Sequence, residues 1–207
     1  MGFNGWTDEA LRFYEGLEAD NSKSYWTSHK RVYDEQVRRP MEELAETLAG
    51  EFGEAKIFRP YRDIRFSHDK TPYKTHIGAV IGGTGYVQLS ADGLAVGAGR
   101  WRMEPDELAR YRAAVADDHR GSRLSEIVAA LEKNGVEIQC HGELKTAPRG
   151  YKADHPRIRF LRCKGLTSWQ WWAPEPWLHT AAAADRVTAF LRTSADLVSW
   201  LDTNAGD

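Results

Sequence analysis

Three short β-rich runs, joined by connections of hairpin length, restrict how this chain can fold more than any other feature. The runs cover residues 76–82, 85–90 and 94–100, and the connections are Gly82-Gly83-Thr84-Gly85 and Ala91-Asp92-Gly93. Connections this short join antiparallel neighbours, because a parallel crossover needs a dozen residues or more. We therefore expect an antiparallel β-meander in the middle of the chain.

Helical patterns flank the meander on both sides. One begins after Thr7, and the next carries an apolar stripe through Pro40, a residue that must either kink that helix or begin a new one. Beyond the meander, Pro105 begins a helix whose pattern continues to Gly121, and Pro176 begins the last helix. The segments between these helices and the meander are short, and no flexible linker separates them.

The patterns together predict an α+β fold. We expect a single domain over residues 1–207, with an antiparallel β-meander sheet packed by N-terminal, central and C-terminal helices. Two further strands are expected over 136–140 and 168–173. The 207 residues are 42% hydrophobic and 28% charged, which is an ordinary balance for a globular protein.

Composition also predicts a cytoplasmic protein without a membrane segment. No stretch of eighteen apolar residues occurs, and the first helix carries charged residues where a signal peptide would be apolar. The two cysteines, Cys140 and Cys163, lie far apart and lack metal-binding spacing. They fit reduced thiols better than a disulfide framework, although the sequence leaves their pairing open.

Two basic segments stand out in a chain whose net charge is −2. Residues 56–76 carry a net charge of +4 and residues 141–165 one of +5, so the remainder is strongly acidic. Alternating apolar and polar residues over 58–67 predict a half-buried strand in the first segment. If the two segments meet in the fold, they form a positive surface that attracts an anion.

The leading hypothesis is therefore a basic cleft, formed by segments 59–76 and 145–164, that binds a phosphate- or carboxylate-bearing small molecule. Arginine suits bidentate recognition of such groups, and lysine supplies a mobile charge. Asp63 would orient an arginine, and Tyr73 or Tyr151 would add a hydroxyl group. The cations expected to contact the ligand are Arg62, Arg65, Lys70, Lys74, Arg149 and Lys152.

The sequence leaves open whether the protein is an enzyme. His68, Asp69 and His155 are the residues that would handle protons in a reaction, because histidine titrates near neutral pH. A histidine near a turn is more often a capping or surface residue. We expect no cofactor and no metal, since no metal-ligand spacing is present and the surrounding lysines and arginines would repel a cation.

Two other functions remain as alternatives. Basic residues interleaved with aromatic ones in the 56–76 segment are compatible with binding a nucleic acid, although no recognised nucleic-acid motif is present. The tryptophans between Trp169 and Trp177 would instead serve as a partner surface in an interaction scaffold without a small ligand. The oligomeric state is not predicted.

The first basic segment reads Arg59-Pro60-Tyr61-Arg62-Asp63-Ile64-Arg65-Phe66-Ser67-His68-Asp69-Lys70-Thr71-Pro72-Tyr73-Lys74. With Pro148-Arg149-Gly150-Tyr151, Asp154-His155-Pro156 and the early Asn21-Ser22-Lys23-Ser24-Tyr25-Trp26, it resembles a family of bacterial and fungal conserved hypothetical proteins, a domain of unknown function. Trp26 departs from that pattern, which has Phe there. The resemblance implies a single-domain α+β protein and carries no established activity.

Overall fold

The computed structural model describes residues 2–65 and 68–206. Helices precede, interrupt and follow the strands of one antiparallel sheet, so the predicted α+β class is confirmed. The helices are α1 (Asp8–Ala19), α2 (Lys23–Val32), α3 (Arg39–Phe52), α4 (Pro105–Ala116), α5 (Asp118–Lys133), α6 (Ile158–Leu161), α7 (Ala182–Thr193) and α8 (Ala195–Ala205). The strands are β1 (Ala55–Ile57), β2 (His76–Ile81), β3 (Gly85–Ser90), β4 (Gly93–Arg100), β5 (Glu137–His141) and β6 (Gly165–Trp172).

The predicted meander forms the centre of this sheet, whose strand order is β1-β2-β3-β4-β6-β5. In the β2–β3 hairpin His76 lies opposite Ser90 and Ile81 opposite Gly85. The connection has positive φ at Gly82 and Gly83, a conformation that side chains with a Cβ adopt only at a cost. The glycines of this connection therefore account for the tight reversal.

The strand predicted over 58–67 is absent from the described part of that segment. After β1 the chain is irregular, and only an isolated bridge, Tyr61–Tyr73, connects it to the residues before β2. Pro60 and Pro72 lie in the two facing segments and have no N–H to donate, so a continuous ladder cannot form. Residues 66–67, at the end of the predicted strand, lie outside the described residues.

Two predicted helix boundaries are wrong. Helix α4 already ends at Ala116, and α5 continues through Gly121, which was expected to separate the two helices. A Cβ at Gly121 would lie 2.1 Å from the carbonyl oxygen of Val115, so this glycine allows close packing. The last helical segment is also divided: Pro176–His179 is a 3-10 helix, and α7 and α8 follow it.

Pro40 neither starts a separate helix nor ends one, because residues 23–52 are helical without a break. It lies at the start of α3, directly after a π-helical turn in which the amide of Arg39 donates to the carbonyl oxygen of Asp34. The preceding residues, Tyr33–Arg38, form a π-helical segment that continues α2 and buries Tyr33 and Val37. The apolar stripe therefore remains on one side of the chain across the proline.

The chain is grouped into two compact units, each with its own core. Unit 1 comprises Met1–Val96 and Trp171–Ala189, and its helices bury aromatic side chains such as Phe13 and Trp26, whose rings pack edge to face at 5.8 Å. Unit 2 comprises Gly97–Gln170 and Phe190–Asp207. Fully buried Tyr111 donates a hydrogen bond to the carbonyl oxygen of Phe160 within it. The single domain predicted over 1–207 stays a prediction.

The preference for reduced thiols is wrong. Cys140 at the end of β5 and Cys163 just before β6 form a disulfide, with sulfur atoms 2.11 Å apart and Cα atoms 5.1 Å apart. The pairing of β5 with β6 brings the two residues together although 23 positions separate them in sequence. The free-thiol argument for a cytoplasmic location is therefore lost, and that location stays a prediction. Over residues 2–65 and 68–206, no helix combines the length and apolar character that crossing a bilayer requires.

Candidate functional site

Unit 2 contains an open cavity of about 650 Å³, a volume typical of sites for small molecules. We call it the Trp101 cavity. Its lining residues come from the connection after β4, from α4, and from the ends of the β5–β6 pair. They are Trp101, Arg102, Met103, Pro105, Leu108, Ala109, Arg112, His141, Gly142 and Lys164.

Helix α4 supplies one wall of the cavity. Leu108 and Ala109 follow Pro105 by three and four residues, and Arg112 follows them by four and three, so the four side chains share one face of the helix. Arg112 donates from Nε to the carbonyl oxygen of Leu161 at 3.1 Å, which anchors its guanidinium group. Its Nη2 is buried and has no hydrogen-bond partner within the described part of the chain. A charged donor in that state lacks the acceptor that buried polar groups normally have.

The end of the β5–β6 pair supplies another wall. The amide of Lys164 donates to the carbonyl oxygen of His141 at 2.9 Å, which keeps these two lining residues in register. Gly142 has a φ of +59°, and a Cβ there would lie 3.3 Å from the Cβ and Cδ of Lys164. Gly142 therefore allows the turn after β5 and leaves room for the aliphatic part of the Lys164 side chain. The disulfide joins the immediate neighbours of His141 and Lys164.

A chain of hydrogen bonds orients the His141 ring. The indole Nε1 of Trp169, which only donates, contacts the Thr167 hydroxyl oxygen at 2.7 Å. The same oxygen lies 2.7 Å from Nε2 of His141, so the hydroxyl hydrogen is available to donate to that nitrogen. Burial lowers the pKa of His141, which favours the neutral ring that can accept this bond. The other ring nitrogen, Nδ1, has no partner among the described residues.

The charges around the cavity are predominantly positive. Three of the lining residues, Arg102, Arg112 and Lys164, carry positive charge, and none of the described lining residues is a carboxylate. The nearest acidic group to Arg102 is Glu104 at 3.9 Å, and both side chains are well exposed, so this pair contributes little. Clustered cations around a concave surface raise the local concentration of anions.

In unit 1, the two arginines predicted to bind the ligand are already paired with carboxylates. Arg62 donates to the side chains of Asp69 and Thr71, and this contact lowers the pKa of Asp69 to about 2. Arg65 forms two hydrogen bonds to Asp63, Nε to Oδ1 at 2.9 Å and Nη2 to Oδ2 at 2.7 Å, and these bonds lower the pKa of Asp63. Asp63 thus orients an arginine, but it occupies that arginine's fork.

The remaining predicted residues of unit 1 are also held by their own surroundings. Lys70 donates to the carbonyl oxygen of Ile64 at 3.0 Å. Tyr73 is buried, and its ring stacks on Trp26 with centroids 4.4 Å apart. Lys74 lies over the Phe58 ring at 5.1 Å, and burial together with the nearby Arg59 lowers its pKa.

Segment 145–164 belongs to unit 2, and its predicted residues do not line the Trp101 cavity. Arg149 and Lys152 are exposed, and His155 accepts a hydrogen bond at Nδ1 from the amide of Arg157 at 3.1 Å. In this contact His155 caps a turn. His68, the other histidine proposed for proton transfer, belongs to unit 1 and is exposed.

Comparison with known proteins identifies the family but no activity. The family described as "Conserved hypothetical protein (DUF2461)" matches residues 9–200 of this chain. The chain belongs to this family. A search of the curated proteins found no match. A solved structure of a conserved hypothetical protein from Pyrococcus furiosus is similar at 14% identity, covering 82% of this chain and 95% of that one, with a TM-score of 0.38.

In this DUF2461 protein, Trp101, Arg102 and Arg112 line the cavity but were not predicted as site residues from the sequence. Arg112 follows Leu108 by four positions in a predicted helix, so a basic residue on the apolar face was a readable signal. His141 and Lys164 lie within the basic segment 141–165 but were not singled out as ligand contacts. Nothing in the sequence indicated that these residues come together.

Proposed function

We propose that this protein binds a small molecule bearing a phosphate or carboxylate group, and that the Trp101 cavity holds it. The observation that carries the proposal is the charge of the lining: Arg102, Arg112 and Lys164 are cationic, and none of the described lining residues is a carboxylate. Positive charges clustered around a concave surface attract anions and raise their local concentration.

The surrounding charges favour the same ligand. Lys164 is exposed, and its ammonium group has no partner among the described residues, so it is available to an anion at the mouth of the cavity. Arg102 adds a second exposed cation to the lining of the cavity. An anion binding here would be contacted by charge-assisted hydrogen bonds, which are stronger than neutral ones.

The proposed ligand class is the one that the sequence predicts, but the proposed site differs in part. Lys164 belongs to the predicted segment 145–164, whereas segment 59–76 is not part of the cavity. Arg62 and Arg65 of that segment already have carboxylate partners, and a ligand would have to displace Asp69 and Asp63 to use them. The cleft predicted between the two segments stays a prediction.

The test is a titration of the labelled protein with inorganic phosphate and, separately, acetate, followed by amide and side-chain NMR shifts. We expect shifts that concentrate on the lining residues and saturate at a Kd in the millimolar range or tighter. Lys164→Gln removes one exposed cation, worth about 1 kcal/mol, and should weaken binding roughly fivefold. Arg112→Gln should weaken phosphate binding more than Lys164→Gln does. A urea unfolding curve checks that the Arg112→Gln variant is folded.

Arg149→Gln is the matched control, because Arg149 is an exposed cation of the same basic segment outside the cavity. Its affinity for phosphate should equal that of the wild type. Shifts centred on Arg62, Arg65 and Arg149, with binding lost in Arg149→Gln and retained in Lys164→Gln, would replace the cavity with the predicted cleft. Absence of any saturable shift would refute anion binding at the cavity.

A further inference from the structure

Trp101 is a large aromatic residue held in an exposed position. Its side chain is 64% exposed, although its backbone is tightly fixed. A Cβ at Gly165 would lie 2.0 Å from the Trp101 carbonyl oxygen, so the glycine allows the two segments to approach. Two residues later, the amide of Met103 donates to the carbonyl oxygen of Lys164 at 2.9 Å. The ring therefore projects from a rigid connection instead of from a loose loop.

His141 supports one face of the Trp101 ring. The two ring centroids are 3.8 Å apart and the planes are inclined by 30°. Because the Thr167 hydroxyl group contacts His141, the two tilted rings form a prearranged aromatic surface at the cavity wall. Exposed aromatic surfaces of this kind bind flat rings with little loss of side-chain entropy.

The remaining wall is apolar and lies next to the cations. Met103, Pro105, Leu108 and Ala109 line the same cavity as the aromatic pair and Arg112. A ligand made only of an oxyanion would leave these side chains in contact with water. A ligand with a flat apolar body and one anionic end would contact both parts of the cavity.

We propose that the ligand of the Trp101 cavity is an aryl or heteroaryl anion, with its ring against Trp101 and its phosphate or carboxylate group toward Arg112 and Lys164. This inference rests on the proposed function and adds the class of the ligand. It gives Trp101 the role of recognising the ring, and it separates that role from recognition of the charge.

Three probes of graded chemistry test the inference: inorganic phosphate, cyclohexyl phosphate and phenyl phosphate. All three carry the same charged group, the second adds an apolar ring, and the third makes that ring flat. We expect phenyl phosphate to bind about tenfold more tightly than inorganic phosphate, from stacking on one aromatic side chain, with cyclohexyl phosphate between them. Calorimetry or NMR titration measures the three dissociation constants.

Variants assign the gain to Trp101. Trp101→Ala should remove the advantage of phenyl phosphate over inorganic phosphate, whereas Trp101→Phe should keep most of that advantage. Trp171→Ala is the matched control, because Trp171 is also about half exposed but lies in unit 1.

The outcomes distinguish this inference from the proposed function. If inorganic phosphate binds at the cavity but phenyl phosphate binds no more tightly, the aryl class is wrong and anion binding stands. Equal affinities for the phenyl and cyclohexyl compounds would likewise rule out a requirement for a flat ring. Failure of all three probes to bind would overturn both proposals.

Discussion

Breaking the Cys140–Cys163 disulfide should lower the free energy of unfolding by about 3.4 kcal/mol. The bond closes a loop across a sequence separation of 23 residues, and the loss of chain entropy that such a loop imposes on the unfolded state has that magnitude at 25 °C. The native state should change little, because β5 and β6 stay paired from Glu137–Trp169 to His141–Gly165 without the bond.

Urea unfolding of the oxidised and the phosphine-reduced protein measures this difference, with a thiol count to confirm each state. A Cys140→Ala/Cys163→Ala double variant should match the reduced protein and be indifferent to reductant. The slope of the transition should rise on reduction, since an uncross-linked unfolded chain exposes more surface. A difference below about 1 kcal/mol would refute the assumption that the bond acts on the unfolded state.

The same reduction experiment also shows whether the disulfide only stabilises the fold or also shapes the cavity. His141 and Lys164 flank the two cysteines, but the hydrogen bond from the Lys164 amide to the His141 carbonyl oxygen and the β5–β6 pairing also hold them. Affinity for phosphate in the folded, reduced protein should therefore equal that of the oxidised protein. Loss of affinity on reduction, with the fold retained, would show that the bond itself shapes the cavity.

Three further predictions concern pH and close packing. Benzenesulfonate keeps a constant charge between pH 5 and 8, so any change in its affinity with pH comes from the protein. Its affinity, measured by calorimetry, should rise as pH falls below the usual histidine pKa of about 6.5, because protonation of His141 adds a positive charge. In His141→Gln the affinity should no longer depend on pH in this range. The Asp69 carboxylate, with its pKa lowered to about 2 by Arg62, should stabilise the fold above the unfolded-state value near 4. That contribution should disappear as pH falls to about 2, and Asp69→Asn should lack this part of the acid transition in thermal unfolding. Gly165→Ala should lower the free energy of unfolding, measured in urea, by roughly 1–3 kcal/mol, because the new Cβ displaces the Trp101 backbone. The same displacement should abolish phosphate binding. Wild-type affinity for phosphate in this variant would contradict the close packing of Gly165 against Trp101.

Local patterns in the sequence were sufficient for the fold class. Hairpin-length connections at Gly82–Gly85 and around Gly93 predict the meander because turn chemistry acts over two to four residues. Proline at the first turn of a helix predicts α4 for the same reason. Over 58–67 the alternation of apolar and polar residues predicted a strand, but Pro60 and Pro72 prevent a continuous ladder there.

Which side chains meet across long separations was decided by the tertiary structure. Arg62 and Arg65 were predicted to be available to a ligand, and each lies against a carboxylate only two to seven residues away. Such pairing depends on how an irregular segment folds back on itself, and the amino-acid composition does not predict that conformation. The basic character of segment 141–165 was readable, but its residues divide between the cavity and the open surface.

The sequence by itself determined the fold class and the central meander, because periodicity and turn residues are properties of neighbouring positions. The disulfide and the Trp101 cavity were decided only when α4 and the β5–β6 pair packed in unit 2. Trp101, Arg112, His141 and Lys164 are 11 to 63 positions apart along the chain, and no local preference links them. These residues lie close together because the helix and strands that carry them pack around the core of unit 2.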